Sequence, residues 1–313
     1  MGISLRRIET FVTVAEHKNV SAAARTLNLS QPAVTKSVRE LERHYGVELV
    51  HRTSDGVDLT QYGERFYRRA KLILSELQHA QDEIVSLLGG RGSVSVGLLP
   101  NADYPLVSHG LSHYLRQHPD LRVVVREGTL DDLLRSVETG DMDFFVGSAL
   151  VTRSSENLVS EVLLQDRLAI VCRPDHPLVG RPDLTFADLE GNGWVLPPRA
   201  TKIHQAFDEA FQEAGLSPPK TWIEINTLAV LRSILCETDR LAIVAFSRIG
   251  VELKYGLLNV LPLSFCSDPF PIAVVRPEEG RLSPWARGFL RSLRQSAVEI
   301  KVDEAAYSGS TTA

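Results

Sequence analysis

Seven apolar residues, Phe66, Ala70, Ile73, Leu77, Ala80, Ile84 and Leu87, follow one another at spacings of 4, 3, 4, 3, 4 and 3 residues, and "GGRGS" at 89–93 ends the run. This is an a/d seam held over about three heptads, with Glu, Arg, Lys, Gln and Asp filling most positions between. A helix that packs only on its own globular domain shows a wider, less strict stripe. The narrow seam therefore predicts a partner helix, the same helix of a second subunit. A long helix closed by a glycine hinge also divides the chain. Residues 1–62 stand in front of it, 63–91 are the helix and hinge, and 92–302 lie behind, with 303–313 read as a disordered tail.

In the front part, Leu5, Ile8, Phe11, Val12 and Ala15 share one helical face. A second helix is expected over 21–28, with Ser21 as its N-cap. After the turn "LNLS", Ser30 caps a third helix, Pro32 sits near its first position, and Tyr45-Gly46 ends it. "ELVHRTSDGVDLT" reads as two short strands around Ser54-Asp55-Gly56. Two helices joined by a tight turn, the second with a polar and cationic start, make the helix-turn-helix plan. Gln31, Thr35 and Lys36 can address base edges, and Lys36, Arg39 and Arg43 place charge along one edge. Residues 1–65 nonetheless carry nine Lys/Arg against eight Asp/Glu, so the segment is nearly neutral. It is the local clustering of the basic groups, and not the total, that argues for a nucleic-acid-reading head.

Behind the hinge the pattern alternates. Strands are expected at 93–99, 121–127, 143–148, 167–173, 221–225, 240–246 and 269–276. Helices are expected at 104–118, 130–138, 201–214, 227–236 and 284–298. Such alternation predicts mostly parallel sheets with right-handed crossovers, and two successive sets predict two lobes.

A net charge of −5 excludes a molecule that binds polyanions over its whole surface, yet it allows one small DNA-reading domain on an acidic body. Cys172, Cys236 and Cys266 are sparse and form no C-x-x-C pair, which suits a reducing cytoplasm better than a disulfide framework. The first twenty residues lack the apolar core and cleavage site of a signal peptide. "MGISLR" has Arg6 where a myristoylation signal needs Ser or Thr. No apolar run approaches the length of a bilayer span. A soluble, cytoplasmic protein without a membrane partner is expected.

The stretch "FVTVAEHKNVSAAARTLNLSQPAVTKSVRELERHYGVELVHR…LTQYGE" resembles the DNA-binding segment of LysR-type transcriptional regulators. "SAAA", "LSQPAVTKSVRELE", "GVEL" and "LTQYGE" carry the likeness across residues 5–64. "GDMDFFVG", "HPLV" and "LSPWARGFLRSL" extend it more loosely over nearly the whole chain. "PAVTKSVRELE" is closest in flavour to regulators of aromatic-acid or sugar catabolism. The resemblance implies an α/β chain with an N-terminal winged helix-turn-helix, a long linker helix and a C-terminal two-lobed periplasmic-binding-protein-like domain. Lobe I would comprise about 92–163 plus 268–302, and lobe II about 164–267. Carried over by motif, Gln31, Pro32, Ala33, Thr35 and Lys36 contact the groove, and Ser30 and Arg39 point toward phosphates. Gln suits adenine N6/N7, and Lys suits guanine acceptors or phosphate. Arg52 begins the wing. Asp55 and Asp58 depart from the family there, since carboxylates repel phosphates.

The resemblance also implies a small molecule held in the cleft between the lobes. The open ends of parallel strands beside helix N-termini mark the same place. They name Pro100, Asn101, Ala102, Ser148, Ala149, Thr201, Lys202, Asn226 and Thr227. Lys202 with Arg199 favours a carboxylate effector, while Asp103 opposes one. Plain helix capping would equally account for Asn101, Thr201 and Thr227. A small carboxylate, an aromatic acid or a sugar remain open as the effector.

His109, His113 and His118 have zinc-compatible spacing but no H-E-x-x-H, and read as surface histidines. Cys172 and Cys236 sit in apolar patterns and read as buried, inert thiols rather than a redox switch. No G-x-S-x-G, phosphate loop or paired-carboxylate motif stands out. The expectation is a ligand-responsive regulator, not an enzyme, needing no cofactor or metal. Its partners are double-stranded DNA, a small effector, further copies of itself (a dimer, with the family's tetramer of two dimers) and RNA polymerase. The rival from a different class is a cytoplasmic solute-binding or catalytic α/β protein whose front helices serve only to oligomerise it.

Overall fold

The computed structural model describes residues 2–54, 56–88, 90–99, 104–148, 158–220, 222–263, 269–278 and 281–310, with Tyr104 and 301–310 described by backbone alone. The head opens with α1 (Leu5–His17), which Lys18 stops by adopting φ 48°. That leaves Asn19 extended, and its side-chain oxygen accepts the Ala22 amide at 3.0 Å to start α2 (Val20–Thr26). The cap is thus Asn19, and not Ser21 as expected from sequence. Asn28, at φ 53°, turns the chain into α3 (Gln31–Tyr45), where the Ser30 hydroxyl accepts the Ala33 amide at 3.3 Å and Gly46, at φ 70°, ends the helix. A two-stranded wing follows, β1 (Val50–Thr53) antiparallel to β2 (Gly56–Leu59).

Ala23 and Ala24 are buried with Val14, Val34, Val38 and Val57. Larger side chains there would hold the crossing helices apart. A second cluster joins Ile8, Phe11, Val12, Leu41 and Leu49 to Ala70 of the next helix, α4 (Gln61–Leu87). That helix has 27 residues, a span of about 40 Å. Its start is capped by Thr60, whose hydroxyl accepts the Gly63 amide at 3.0 Å.

Behind it, β3 (Ser93–Leu98), α5 (Tyr104–Gln117), β4 (Arg122–Glu127), α6 (Leu130–Thr139) and β5 (Phe144–Gly147) form a βαβαβ unit. Then β6 (Leu158–Asp166) forms the far edge of the first sheet and β7 (Leu168–Cys172) begins another. The second βαβαβ unit is β8 (Gly193–Leu196), α7 (Lys202–Glu213), β9 (Trp222–Glu224), α8 (Leu228–Glu237) and β10 (Arg240–Ala245), preceded by a 3-10 turn at Phe186–Leu189. A 3-10 turn at Phe246–Ile249, α9 (Gly250–Lys254) and β11 (Asn259–Val260) lead back to β12 (Phe270–Pro277) and the last helix, α10 (Pro284–Ser310).

The sheet orders are β4-β3-β5-β12-β6 and β11-β7-β10-β8-β9. Read from the second strand of each unit, β4 or β9, both have the same plan. Three parallel strands are followed by two more, each antiparallel to the strand before it. The sheets are therefore mixed where mostly parallel ones were expected. The reason is the double crossing: β12 re-enters lobe I from lobe II and runs against its neighbours. β6, β8 and β11 have no counterpart in the sequence reading. β6 also carries lobe I to Asp166, so the lobes divide at Arg167 and not after residue 163.

Lobe I closes over Val96, Phe144, Val146, Phe289 and Leu293. Lobe II is covered on both faces. Leu241 and Ile243 of β10 face Trp194, Phe207 and Phe211, whereas Ala242 and Val244 face Leu231 and Leu235. Glu161 of β6 ties lobe I together, meeting Arg294 of α10 at 2.7 and 2.9 Å and Arg276 of β12 at 3.2 and 3.3 Å. α10 continues through Ser310, beyond the expected end at 298 and into the segment read as a disordered tail. Its stretch 299–306 has no Gly or Pro and several helix formers.

Candidate nucleic-acid interface and ligand cleft

Burial divides α3 by periodicity. Val34, Val38 and Leu41 point inward, while Gln31, Pro32, Lys36, Arg39 and Arg43 are exposed, with Ala33 and Thr35 half-buried at the boundary. Gln31, Pro32, Thr35, Lys36, Arg39, Glu40 and Arg43 line one shallow, open depression. The groove-contact candidates thus share a surface, except that the Ser30 hydroxyl is engaged in capping.

Near-neutrality of the head does not extend to this face, because four of the eight acids in residues 1–65, Glu40 of the depression among them, are held by groups other than the α3 cations. Glu40 meets Arg7 at 2.6 Å, Asp58 meets Lys18 at 3.5 Å and Glu16 meets Lys71 at 2.7 Å. Glu42 accepts the Leu49 and Val50 amides at 3.0 and 3.2 Å. Lys36, Arg39, Arg43 and Arg52 have no ion pair among the described residues. The result is a cationic row on a head whose other residues carry five Lys/Arg against eight Asp/Glu. The acidic wing is partly neutralised too, since Lys18 pairs with Asp58. Asp55 lies outside the described residues. The wing is docked by the Val57 amide, which donates to the Lys18 carbonyl at 2.9 Å. Gly56 holds φ +142° there, and a Cβ on it would collide with that carbonyl.

The heptad positions separate into two groups. Phe66 and Ala70 pack inside the head, Phe66 with its ring 5.1 Å from Phe11 and Ala70 fully buried, so they are not free for a partner helix. They serve the head because its core needs the first turns of α4 as a lid. From Ile73 onward the seam is bare: Leu77, Ala80, Ile84 and Leu87 are exposed, Leu87 at 88%. Another side of α4 meets lobe I. The Ser75 hydroxyl donates to the Gly140 carbonyl at 3.3 Å, Glu76 pairs with Arg281 at 3.2 Å and Glu83 with Arg287 at 3.5 Å. Lys71 bridges Glu16 of α1 and Asp141 of lobe I, and these carboxylates outweigh its burial and raise its pKa to about 12. Nothing in the sequence pairs these residues, because they lie up to 205 positions apart.

In the ligand-cleft set, Ser148 stands exposed at the end of β5. Thr201 accepts the His204 amide at 3.3 Å and donates to the Pro198 carbonyl at 2.7 Å, which is the capping role weighed from sequence. Lys202 is exposed at the start of α7. Asn226 and Thr227 are exposed after β9, and Thr227 does not cap α8 but donates to Asn226 Oδ1 at 3.3 Å. The Arg199 guanidinium lies 4.4 Å above the Trp222 ring. Pro100, Asn101, Ala102, Asp103 and Ala149 lie outside the described residues. Sequence reasoning missed Asp166 at the lobe boundary. It is buried, which raises its carboxyl pKa, and it accepts the Ser247 hydroxyl at 2.6 Å, the Ser247 amide at 3.2 Å and the Arg167 amide at 2.7 Å. A lone Asp between two strands gave no signal of this.

Cys172 is buried, and burial pushes its thiol up to about 12. Cys236, expected to be buried, is exposed on α8, 3.6 Å from the Leu257 carbonyl. Its position in an apolar pattern was misleading because α8 buries only one side. Cys266 lies outside the described residues. His109 sits 3.5 Å from Glu299, and no group of three or more metal-ligating side chains occurs among the described residues. None of the helices described is long and apolar enough to cross a membrane.

Two family models match: one described as "LysR substrate binding domain" over residues 89–298, and one described as "Bacterial regulatory helix-turn-helix protein, lysR family" over 5–64. The HTH-type transcriptional regulator GbpR of Azospirillum brasilense is 33% identical over 298 residues, covering 94% of this chain and 87% of that protein. PcaQ of Agrobacterium fabrum is 28% identical, covering 95% and 96%. Among solved structures, full-length OxyR of Pseudomonas aeruginosa superposes with a TM-score of 0.67 at 20% identity, covering 95% of each chain. Full-length CbnR with its target DNA gives 0.59 at 21%, covering 94% and 99%. Those two structural likenesses concern the fold alone.

Proposed function

Since the chain belongs to the LysR family of transcriptional regulators, we propose that α3 enters the major groove, with Gln31, Pro32, Ala33, Thr35 and Lys36 at base edges and Ser30, Arg39 and Arg52 toward phosphates. The protein is a DNA-binding regulator with an effector-binding domain, and not an enzyme. The observation that carries the residue assignment is the cationic row of α3, left unpaired while Glu40, Asp58 and Glu16 pair with other cations. The three α3 cations with Arg52 of the wing make four per head, and all four at phosphates give a slope of log affinity against log salt of about −3.6 per head.

The bare seam from Ile73 to Leu87 supports a dimer in which two heads address a partly palindromic site. A second pairing through the effector domains would give a tetramer. Linking the heads raises affinity through effective concentration. In the cleft, Thr201, Lys202, Asn226, Thr227 and Ser148, with Pro100, Asn101, Ala102 and Ala149, receive a small carboxylate, an aromatic acid or a sugar. The effector acts by binding one lobe arrangement better than the other. The protein works in the cytoplasm, beside RNA polymerase.

The test of the head is the double variant Gln31→Ala with Lys36→Ala, titrated against DNA selected by the wild-type protein. A loss of at least tenfold is expected, since one good base contact is worth about 1–3 kcal/mol. Unchanged affinity overturns the assignment of α3.

A further inference from the structure

Ser21 is free of the role its position in the sequence first offers. Asn19 caps α2, so the Ser21 hydroxyl, at the second residue of that helix, has no helix amide to satisfy. It instead accepts a hydrogen bond of 2.7 Å from Nε2 of Gln31, across the turn that joins α2 to α3. Ser21 is half-buried and fixed on a short helix by the buried Ala23 and Ala24, whereas Gln31 is exposed on the first turn of α3.

A glutamine amide offers two N–H donors and one carbonyl acceptor. With one N–H directed to Ser21, the second N–H and Oε1 remain, and they are the pair that adenine N7 and N6 require. A long exposed side chain ordinarily samples several rotamers and loses that freedom on binding. The Ser21 contact selects one orientation of the side chain beforehand.

On the reading that α3 lies in the major groove, we propose that Ser21 is a positioning residue that pre-orients the Gln31 amide to read an adenine in each half-site. Ser21 touches no base. It acts through Gln31, so its removal changes discrimination at one base pair and leaves the phosphate contacts in place.

The test uses full-length protein and a randomised duplex library, with base preferences and salt dependence measured for wild type, Ser21→Ala, Ser21→Thr, Gln31→Ala and the Ser21/Gln31 double alanine variant. Wild type is expected to select an A·T pair at one position per half-site, and Gln31→Ala to lose that preference. Ser21→Ala is expected to weaken it about tenfold with an unchanged salt slope, while Ser21→Thr, which keeps the hydroxyl, retains it. The double variant should match Gln31→Ala alone, because coupled residues are not additive. The proposal is overturned if Ser21→Ala keeps the wild-type preference. It is equally overturned if that variant loses affinity uniformly over all sequences with a shallower slope, the mark of a lost phosphate contact. If Gln31→Ala leaves every base preference intact, the groove reading of Gln31 itself has failed and this proposal goes with it.

Discussion

Asp143 offers a stability experiment whose sign is set by burial. Its carboxylate lies just before β5, under α4, and accepts the Ser95 amide at 2.8 Å. Burial is the largest influence and raises its pKa from 3.8 to about 6, against the Ser95 amide, the His79 charge and the Ser283 hydroxyl, which lower it. An acid whose folded pKa lies above its unfolded one makes the folded state bind more protons in that window. Stability therefore falls as pH rises from about 4 to about 6, and above that the full cost persists. A gap of about two units corresponds to about 3 kcal/mol. Asp143→Asn keeps an oxygen for the Ser95 amide and removes the ionisation. Thermal melts followed by circular dichroism from pH 4 to 8 should coincide at the acid end and diverge above pH 6, where the variant is the more stable. At about 2–4 °C per kcal/mol for a domain of this size, the difference should reach about 6–12 °C. A difference that is constant with pH, or a wild type more stable at neutral pH, refutes the reasoning.

Three further substitutions test other joints. Gly56→Ala forces a Cβ against the Lys18 carbonyl at φ +142°, so it should lower the melting temperature of the head by the equivalent of about 2 kcal/mol or more and weaken DNA binding by shifting the wing. Glu161→Gln leaves the buried Arg276 without its carboxylate and should cost about 2–3 kcal/mol in denaturant titrations at neutral pH. The arginines lower the pKa of Glu161, so this contribution is present above pH 4.5 and disappears as pH falls through the depressed value. Leu77→Glu places a charge in the bare seam of α4, where Leu77 is 40% exposed. Analytical ultracentrifugation should show loss of the dimer without loss of helix content, and an unchanged mass would remove the seam from the assembly.

What the sequence revealed and what it hid follow from how local each determinant is. Caps, glycine stops and the 3.6-residue period act within a few residues, and α3 appears where Ser30, Pro32 and Gly46 put it. The first βαβαβ unit was legible for the same reason, and the second except for its opening strand β8. β6 was not, because it passes between lobes with an irregular burial pattern and no flanking turn signal. The heptad seam misled at Phe66 and Ala70: an a/d spacing records that a face is covered, not whether the cover is a partner helix or the chain's own head. Ser21 was read as a cap because Ser precedes an alanine run, yet Lys18 in the left-handed region shifted the helix start and gave that role to Asn19. Asp166 and Lys71 find their partners only through tertiary folding.

The placement of α4 bears on how a ligand could be felt at the DNA. Among the described residues, the hydrogen bonds and ion pairs from α4 to the effector domain reach lobe I alone, through Asp141, Gly140, Arg281 and Arg287. Lys71 extends that attachment to Glu16 of the head. Head, helix and lobe I are thereby bound into one block. Lobe II joins it through Arg167, which separates β6 from β7, and through the return from β11 to β12, with Asp166 gripping Ser247 at the boundary. On the proposed mode of action a ligand held between the lobes changes the angle of lobe II against this block, and within one chain that leaves the head where it was. For the change to alter the spacing of two heads, lobe II must press on something other than its own head. On the proposed assembly that is a neighbouring subunit, so regulation requires the oligomer for transmission as well as for affinity.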